Sequence, residues 1–467
     1  MPYYFITKTT LVKLHMSSWD IIRRFDEAKL TSAHYRWTIL AAMGDFLDAG
    51  AIVAGAVSTI YWTTVFHLTP TLLGIIAAFS PNAFAAFVGA IMAGPLGDKY
   101  GRKTIYMYDL LAYFVGTVLM AAAVNYVMLL IGYIITGIAV GLDVPTSWSL
   151  IAEYAPRYKR GFLMAFTNVM WYIGPIVMLL LGIAFEPYGA LTFRVVFGVL
   201  AAVALITWVL RRGLIESPRW GLVAGKTNVV ESALKQLGEE AQQAGSQQAQ
   251  QTQYKYKWSD IFKYKKGLAF IIPIYIFWGV PAGTFGFFLP YFFKDIGFTT
   301  TTMAYVGDIL CFITAIIGVT AVYMQLSDKL DRNVMYAVSA AICGLSFALP
   351  IFLPFSILWV ALFNVIGFGF GHGMWLWPQT RVWSTELFPT EVRNSAQGFA
   401  WSWMRFALGV WSLVVPTIIA VIGYKAIAAV ATSFFILNII IGYLYGPRSQ
   451  GKSLEEVLRD FYGGKIP

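Results

Sequence analysis

The sequence predicts an all-α membrane protein: twelve transmembrane helices in two pseudo-symmetric six-helix bundles, with both termini cytoplasmic. Three observations carry this expectation: the scarcity of charge, the number of long apolar stretches, and the return of two polar loop motifs in the second half of the chain. Of 467 residues, 58% are hydrophobic, 16% aromatic and only 12% charged. Soluble globular chains carry roughly 25% charged residues.

An apolar stretch of about 20 residues crosses a bilayer as a helix. Such stretches fall at 37–62, 70–94, 104–123, 126–151, 162–184, 191–210, 267–293, 302–326, 333–354, 356–380, 397–420 and 423–445. The first is too long for the core of a cleavable signal, so it is expected to stay as a helix. Cys311 and Cys343 both lie inside apolar stretches and read as small core residues, not as a disulfide framework.

The net charge of +10 follows the membrane. Most Lys and Arg fall in the segments that share a side with the N-terminus, including 94–104, 152–161 and 211–266. This bias puts both termini in the cytoplasm. The chain therefore divides into an N-terminal segment (1–36), a first bundle (37–210), a central loop (211–266), a second bundle (267–445) and a tail (446–467). Within the loop, GEEAQQAGSQQAQQTQ (238–253) has no apolar period and reads as a flexible linker.

The two bundles repeat each other. GPLGDKYGRK (94–103) and QLSDKLDRN (325–333) both contain Asp-Lys-x-x-Arg, giving Asp98 with Arg102 and Asp328 with Arg332. EYAPRYKRG (153–161) and ELFPTEVRN (386–394) both contain Glu-x-x-Pro-x-x-x-Arg, giving Glu153 with Arg160 and Glu386 with Arg393. The same order at nearly the same offset indicates a duplicated six-helix unit. Parallel repeats of this kind place a binding site at the midplane between halves.

Charge inside a bilayer is expensive, roughly 2.5–3.5 kcal/mol per residue on insertion scales, and marks candidate functional residues. Counted at about 1.5 Å per residue, Asp48, Asp143, Asn168 and Arg405 reach similar mid-membrane depths and are expected around one cavity. Asp109 and Asp308 lie nearer the edges, Arg381 near a helix end. Asp48 and Asp143 are candidate proton-coupling groups, with Asp45 one turn shallower as relay or support. For Asp48 a neutral Asp capped by a backbone carbonyl is the structural alternative, and for Asp45 a helix-contact role. Arg405 stays charged, and its fork suits either a substrate anion or a permanent salt bridge to Asp48 or Asp143. Asn168, Trp171, Tyr172, Trp375 and Trp377 are candidate substrate contacts, as is His372. His372 sits in GFGFGHGMWLWP (367–378), where glycines allow close helix approach. Aromatic residues at helical spacing serve equally as packing.

Taken together the chain resembles the major facilitator superfamily. GPLGDKYGRK is similar to that family's loop signature, while ESPRW (216–220) and PRSQGKSLEEV (447–457) resemble its sugar-porter branch. GLDVPTS (141–147), ELFPTEVRNSAQG (386–398) and the Asp45/Asp48 spacing resemble its phosphate and organic-acid proton symporters. Two departures from the sugar-porter pattern stand out: FWGVPAGTFGFF (277–288) lacks that branch's Gln and Asn, and Tyr133 replaces an Arg. Ala282 stands where the phosphate branch has an Asp. The resemblance implies alternating access, with Asp98, Arg102, Glu153, Arg160, Asp328, Arg332, Glu386 and Arg393 as a cytoplasmic gate; capping and topology are their structural alternative.

The function expected is secondary active transport, as proton-coupled symport of an organic anion or carboxylate. The alternatives are a sugar or sugar-like solute, by symport or uniport, and a transporter-like receptor. No metal-spaced cluster or nucleophile–base pair appears, so no enzyme activity, cofactor or metal is expected. The partners expected are a small solute, protons and membrane lipid, with no nucleic acid. A monomer in the cell membrane, crossing it many times, is the expected form.

Overall fold

The computed structural model describes residues 18–236, 257–296 and 300–464. Among them all regular structure is helical. The first bundle contains α1 (Ser18–Glu27), α2 (Ser32–Val65), α3 (Pro70–Ala78), α4 (Phe84–Tyr100), α5 (Arg102–Ala121), α6 (Tyr126–Tyr154), α7 (Arg160–Phe185) and α8 (Leu191–Arg211). The central segment contributes α9 (Pro218–Val223) and α10 (Thr227–Gln236). The second bundle contains α11 (Lys265–Ile296), α12 (Thr301–Ile317), α13 (Met324–Leu326), α14 (Arg332–Phe352), α15 (Leu358–Gly371), α16 (Trp377–Glu386), α17 (Arg393–Val421) and α18 (Tyr424–Tyr445), followed by α19 (Leu454–Phe461). Among the described residues eleven helical stretches are long and apolar enough to cross a membrane.

The remaining crossing is α3 with α4. A single helix over 70–94 is expected from the sequence; instead it breaks at 79–83 and its second part runs on to Tyr100. Ser80-Pro81-Asn82 causes the break. Pro81 has no N–H to donate, and the Ser80 hydroxyl accepts the Asn82 N–H at 3.1 Å. Two wider turns interrupt the second bundle, Gly318–Tyr323 between α12 and α13 and His372–Leu376 between α15 and α16. Helix ends carry the caps their sequences offer. Asn125 accepts from the Met128 N–H at 2.9 Å, and Asp331 accepts from Asn333 and Val334.

The halves each pack internally, α2 on α7 and α5 on α6 in the first, α14 on α18 and α12 on α15 in the second. They meet through α4 against α17 and α7 against α12. The loop motifs, α1, α9 and α19 all gather at one end, called here the charged end. The linker reading of 238–253 lies outside the described residues. The flanking parts of the central segment fold into α9 and α10 and pack on each other.

Small residues set how closely the helices approach. A Cβ on Gly89 would stand 2.1 Å from the Ile138 carbonyl oxygen and 2.9 Å from the Gly141 Cα. Both obstacles are backbone and cannot rotate away. Gly89→Ala is therefore expected to destabilise the first bundle by about 1–3 kcal/mol, the usual penalty of overpacking, read as a lowered unfolding midpoint of the purified protein in detergent.

Candidate transport site and its gate

Between the halves lies a cavity of about 90 Å³, where roughly 10–15 Å³ suffices for one water. The first half supplies Ile52, Asn82, Trp171 and Tyr172 to its wall, the second Trp278, Asp308, His372 and Arg405. Of the residues expected there, Trp171, Tyr172, His372 and Arg405 are brought together. Asn168, Trp375 and Trp377 stand outside the lining. Asn168 is fully buried with neither amide atom hydrogen bonded. Trp375 packs on Tyr323. Trp377 lies one layer deeper, stacked on Trp278 with centroids 3.7 Å apart and planes at 7°.

Two polar links cross the cavity. The Tyr172 hydroxyl and His372 Nδ1 are hydrogen bonded at 2.6 Å. Arg405 Nη1 donates to the Asn82 carbonyl at 3.2 Å and to its Oδ1 at 2.6 Å, while its guanidinium lies over Trp401 at 3.9 Å. Sequence reasoning offered Arg405 a substrate or an acid; the structure gives it the carbonyl freed by the break before α4. Irregular backbone is tolerated at membrane depth where protein groups satisfy it.

The expected ring of Asp48, Asp143, Asn168 and Arg405 does not form as one cluster. Asp143 turns into the first bundle, where Arg211 Nη1 reaches its Oδ2 at 3.2 Å and Asp109 Oδ1 at 3.9 Å. Asp109, set aside on depth, thus belongs to this buried group. Arg211, which the loop count assigned to the cytoplasm, is fully buried. It also donates to the carbonyls of Leu40 and Ala41 and to the Tyr106 hydroxyl. Its stem reaches back into the bundle from the last turn of α8, which composition does not reveal. Asp308, also set aside, lines the cavity, because the cavity lies toward the end opposite the charged one. Asp48 is 1% exposed and its Oδ2 has no hydrogen-bond partner.

Arg381, read only as near a helix end, is fully buried between the cavity and the charged end. Its Nη1 donates to Asp45 Oδ1 at 2.5 Å and to the Thr167 hydroxyl at 2.6 Å. The guanidinium lies over Trp148 and Trp377, each at 4.2 Å. Trp148 Nε1 donates to the same Asp45 oxygen at 3.2 Å.

At the charged end the eight repeated-motif residues form two four-residue networks, each drawing on both halves. Arg102 holds Asp98 at 3.1 Å and Glu153 at 3.0 Å within the first half. Arg332 holds Asp328 at 3.1 Å and Glu386 at 3.2 Å within the second. The second motif crosses over: Arg393 reaches Glu153 at 2.7 Å, and Arg160 reaches Glu386 at 3.2 Å. Asp98 Oδ2 also accepts the Ser395 N–H at 2.9 Å. This mouth is shut.

ESPRW braces it. The Glu216 carboxylate accepts the Arg102 and Lys103 N–H groups, capping α5. Between α4 and α5, Gly101 sits at φ 102°, and a Cβ there would strike Glu216. Ser217 donates to Glu153, and Trp220 Nε1 to the Asp98 carbonyl at 2.9 Å. Arg219 pairs with Asp26 of α1 at 2.7 Å and with Glu455 of α19.

Two half-bundles around a central cavity, joined at one end by paired charges, have the architecture of a membrane transporter. Residues 37–461 match the profile of the family described as Sugar (and other) transporter, and the chain belongs to that family as an integral, multi-pass membrane protein. It is 36% identical over 434 residues to the minor myo-inositol transporter IolF of Bacillus subtilis (strain 168), covering 92% of this chain and 95% of that one. It is 25% identical over 438 residues to the arabinose-proton symporter of the same organism, covering 87% and 90%. The fold matches the proton:xylose symporter XylE bound to 6-bromo-6-deoxy-D-glucose with TM-score 0.80 at 20% identity, covering 92% and 99%. Against the inward open conformation of XylE from E. coli, at 19% identity and covering 91% and 99%, the TM-score is 0.66. These relatives are transporters, not enzymes.

Two outcomes test the charged end. Glu386→Gln leaves Arg160 and Arg332 buried without their shared carboxylate. Removing one partner of a buried ion pair is worth about 3–5 kcal/mol, expected as a lower unfolding midpoint in detergent. Burial pushes the Glu455 carboxyl up, but Arg219 beside it, a backbone hydrogen bond and the charges of Arg393 and Arg160 together hold it below its ordinary value of 4.5. That contribution is complete above pH 4.5 and disappears as the pH falls through the lower folded value. Protection of α19 from limited proteolysis is expected to fall with acid, and Glu455→Gln is expected to lose protection already at neutral pH.

Proposed function

We propose that this protein carries a sugar or polyol across the membrane by alternating access, in symport with protons, and that the charged end faces the cytoplasm. The observation that carries this is the cavity shared by both halves and sealed at the end bearing the paired motifs. A neutral, hydroxyl-rich solute takes the place of the organic anion expected from sequence for two reasons. The relatives named for inositol, arabinose and xylose support it. Arg405, the cation expected to hold an anion, is already engaged by Asn82. Aromatic walls (Trp171, Tyr172, Trp278, Phe312) with a few polar groups (Asn82, Asp308, His372, Arg405) suit a ring that offers apolar faces and hydroxyl edges.

Asp48 is the proton carrier in this reading. A buried carboxylate without a partner is unfavourable, and Asp48 Oδ2 has none. Binding and releasing a proton lets this group change charge as its access changes sides. The eight charges at the mouth act as the cytoplasmic gate, because their crossed pairs exist only while the halves touch there. The bias of Lys and Arg toward that end supports its cytoplasmic placement.

Uptake into proteoliposomes with an imposed pH gradient tests the reading, using a panel of inositols, pentoses, hexoses and carboxylates. Accumulation of a polyol or sugar that follows the gradient is expected. Accumulation of carboxylates alone returns the organic-anion reading, and binding without flux would favour a receptor. Asp48→Asn is expected to abolish gradient-driven accumulation while sparing solute exchange, measured by counterflow; intact accumulation would remove Asp48 from the role.

A further inference from the structure

Below the cavity and above the charged mouth, one ion pair joins the halves at full burial. Asp45 belongs to α2 of the first half and Arg381 to α16 of the second, with Nη1 and Oδ1 2.5 Å apart. Every other polar contact of Arg381 that bridges the halves runs to the same layer: its Nη1 to Thr167 of α7 at 2.6 Å. Trp148 and Trp171 of the first half and Trp377 of the second surround the guanidinium. Trp377 is stacked on Trp278, and Trp171 and Trp278 line the cavity. The layer is therefore the cavity's floor. Solute cannot pass toward the charged end while it holds.

We propose that the Arg381–Asp45 pair is a second lock between the halves, and that a proton arriving at Asp45 opens it. This rests on the proton-coupled reading above. Arginine does not give up its proton at accessible pH, so Asp45 is the member of the pair that can be neutralised. Both hydrogen bonds to Asp45 end on Oδ1, from Arg381 and Trp148. Its Oδ2 is buried with no partner and is the atom open to a proton. The O–H formed there removes the negative charge; Arg381 keeps its positive charge and no other bond changes. The pair then loses the attraction between opposite charges and keeps only a hydrogen bond from a cation to a neutral acid.

Other charges near Asp45 come from several elements. Asp48 lies on α2 itself, Asp143 on α6, Arg211 on α8 and the Tyr106 hydroxyl on α5, each interacting with it or through its neighbours. Asp143 and Arg211 are paired with each other at 3.2 Å, and among the described residues Asp48 Oδ2 has no hydrogen-bond partner. Arg381 is thus the direct counter-ion of Asp45, and it arrives from the opposite half. Separation of the halves at the charged end removes it, leaving Asp45 to hold a proton instead. Opening and protonation favour each other.

Spin labels on Lys99→Cys and Lys329→Cys, one in each half at the charged end, report the mouth directly by electron–electron distance measurement. The two native cysteines are buried. With the remaining sequence unchanged, the short-distance population is expected to dominate at neutral pH and to give way as the pH is lowered. Asp45→Asn, which keeps the Trp148 bond, is expected to raise the long-distance population by about tenfold at neutral pH, within the usual range of coupling between sites, and to remove the pH response. Arg381→Gln is expected to do the same, and the double variant to add little to either. A mouth that stays closed and still responds to pH in Asp45→Asn overturns the lock. So does loss of the pH response in Asp48→Asn with retention in Asp45→Asn, which would place the switch on Asp48. Failure of the transport reading shows separately, as absent gradient-driven uptake with these distance changes intact.

Discussion

A buried charge needs a partner, and at the charged end each glutamate of the repeated motifs finds its partners in both halves. Glu153 lies between Arg102 of its own half and Arg393 of the other. Glu386 lies between Arg332 of its own half and Arg160 of the other. The ion pairs of the Asp-Lys-x-x-Arg motif stay within one half, while the arginine of the second motif crosses over. Each half therefore completes the other's charge balance. A buried ion pair returns little net stability, because desolvation consumes most of the attraction. For a transporter this is an advantage: water entering an opened mouth replaces the lost partners at small net cost, so neither state is a deep trap.

The same rule extends outward from the gate. Arg219 draws α1, α9 and α19 onto one point through Asp26 and Glu455. Glu216 uses the free N–H groups at the start of α5 as its partners, a carboxylate at the positive end of a helix. Gly101 makes that possible, since its φ of 102° turns the chain from α4 into α5 where a side chain would displace Glu216. The central segment is thus more than a connection. Its first helix lies beneath the paired charges, with Trp220 bonded to the Asp98 carbonyl and its cap Ser217 to Glu153.

Much of this was legible in the sequence, and the physical reason is that the lipid imposes it. Apolar length gave nearly every crossing, and the repeated motifs exposed both the duplication and the residues that pair at the charged end. What escaped depended on direction and depth rather than composition. Arg211 and Arg381 sit near helix ends, where an arginine ordinarily faces the headgroups, and only the packing of α8 and α16 turns them inward. Depth along each helix placed Asp143 level with Arg405 but said nothing about which face it occupied. A carboxylate pointing into its own bundle against Gly44 and one pointing at the cavity look alike in a linear count. The break before α4 was written in Ser80-Pro81-Asn82, but its use, to hand a carbonyl to Arg405 on the other half, required the fold.

The irregular backbone and the cavity's chemistry belong together. The break at 79–83 delivers Asn82 to Arg405, and the wide turn beginning at His372 delivers that ring to Tyr172. Both bonds run from one half to the other. A solute hydroxyl that binds Arg405, His372 or Tyr172 must compete with a contact that holds the halves at their present spacing. Solute binding therefore acts on the same coordinate as the charged mouth, and can shift it only by binding one spacing better than the other. Polar groups placed on regular, uninterrupted helices would bind a solute without registering it. Placed on interrupted ones and bonded across the interface, they make occupancy of the cavity a term in the balance between its two states.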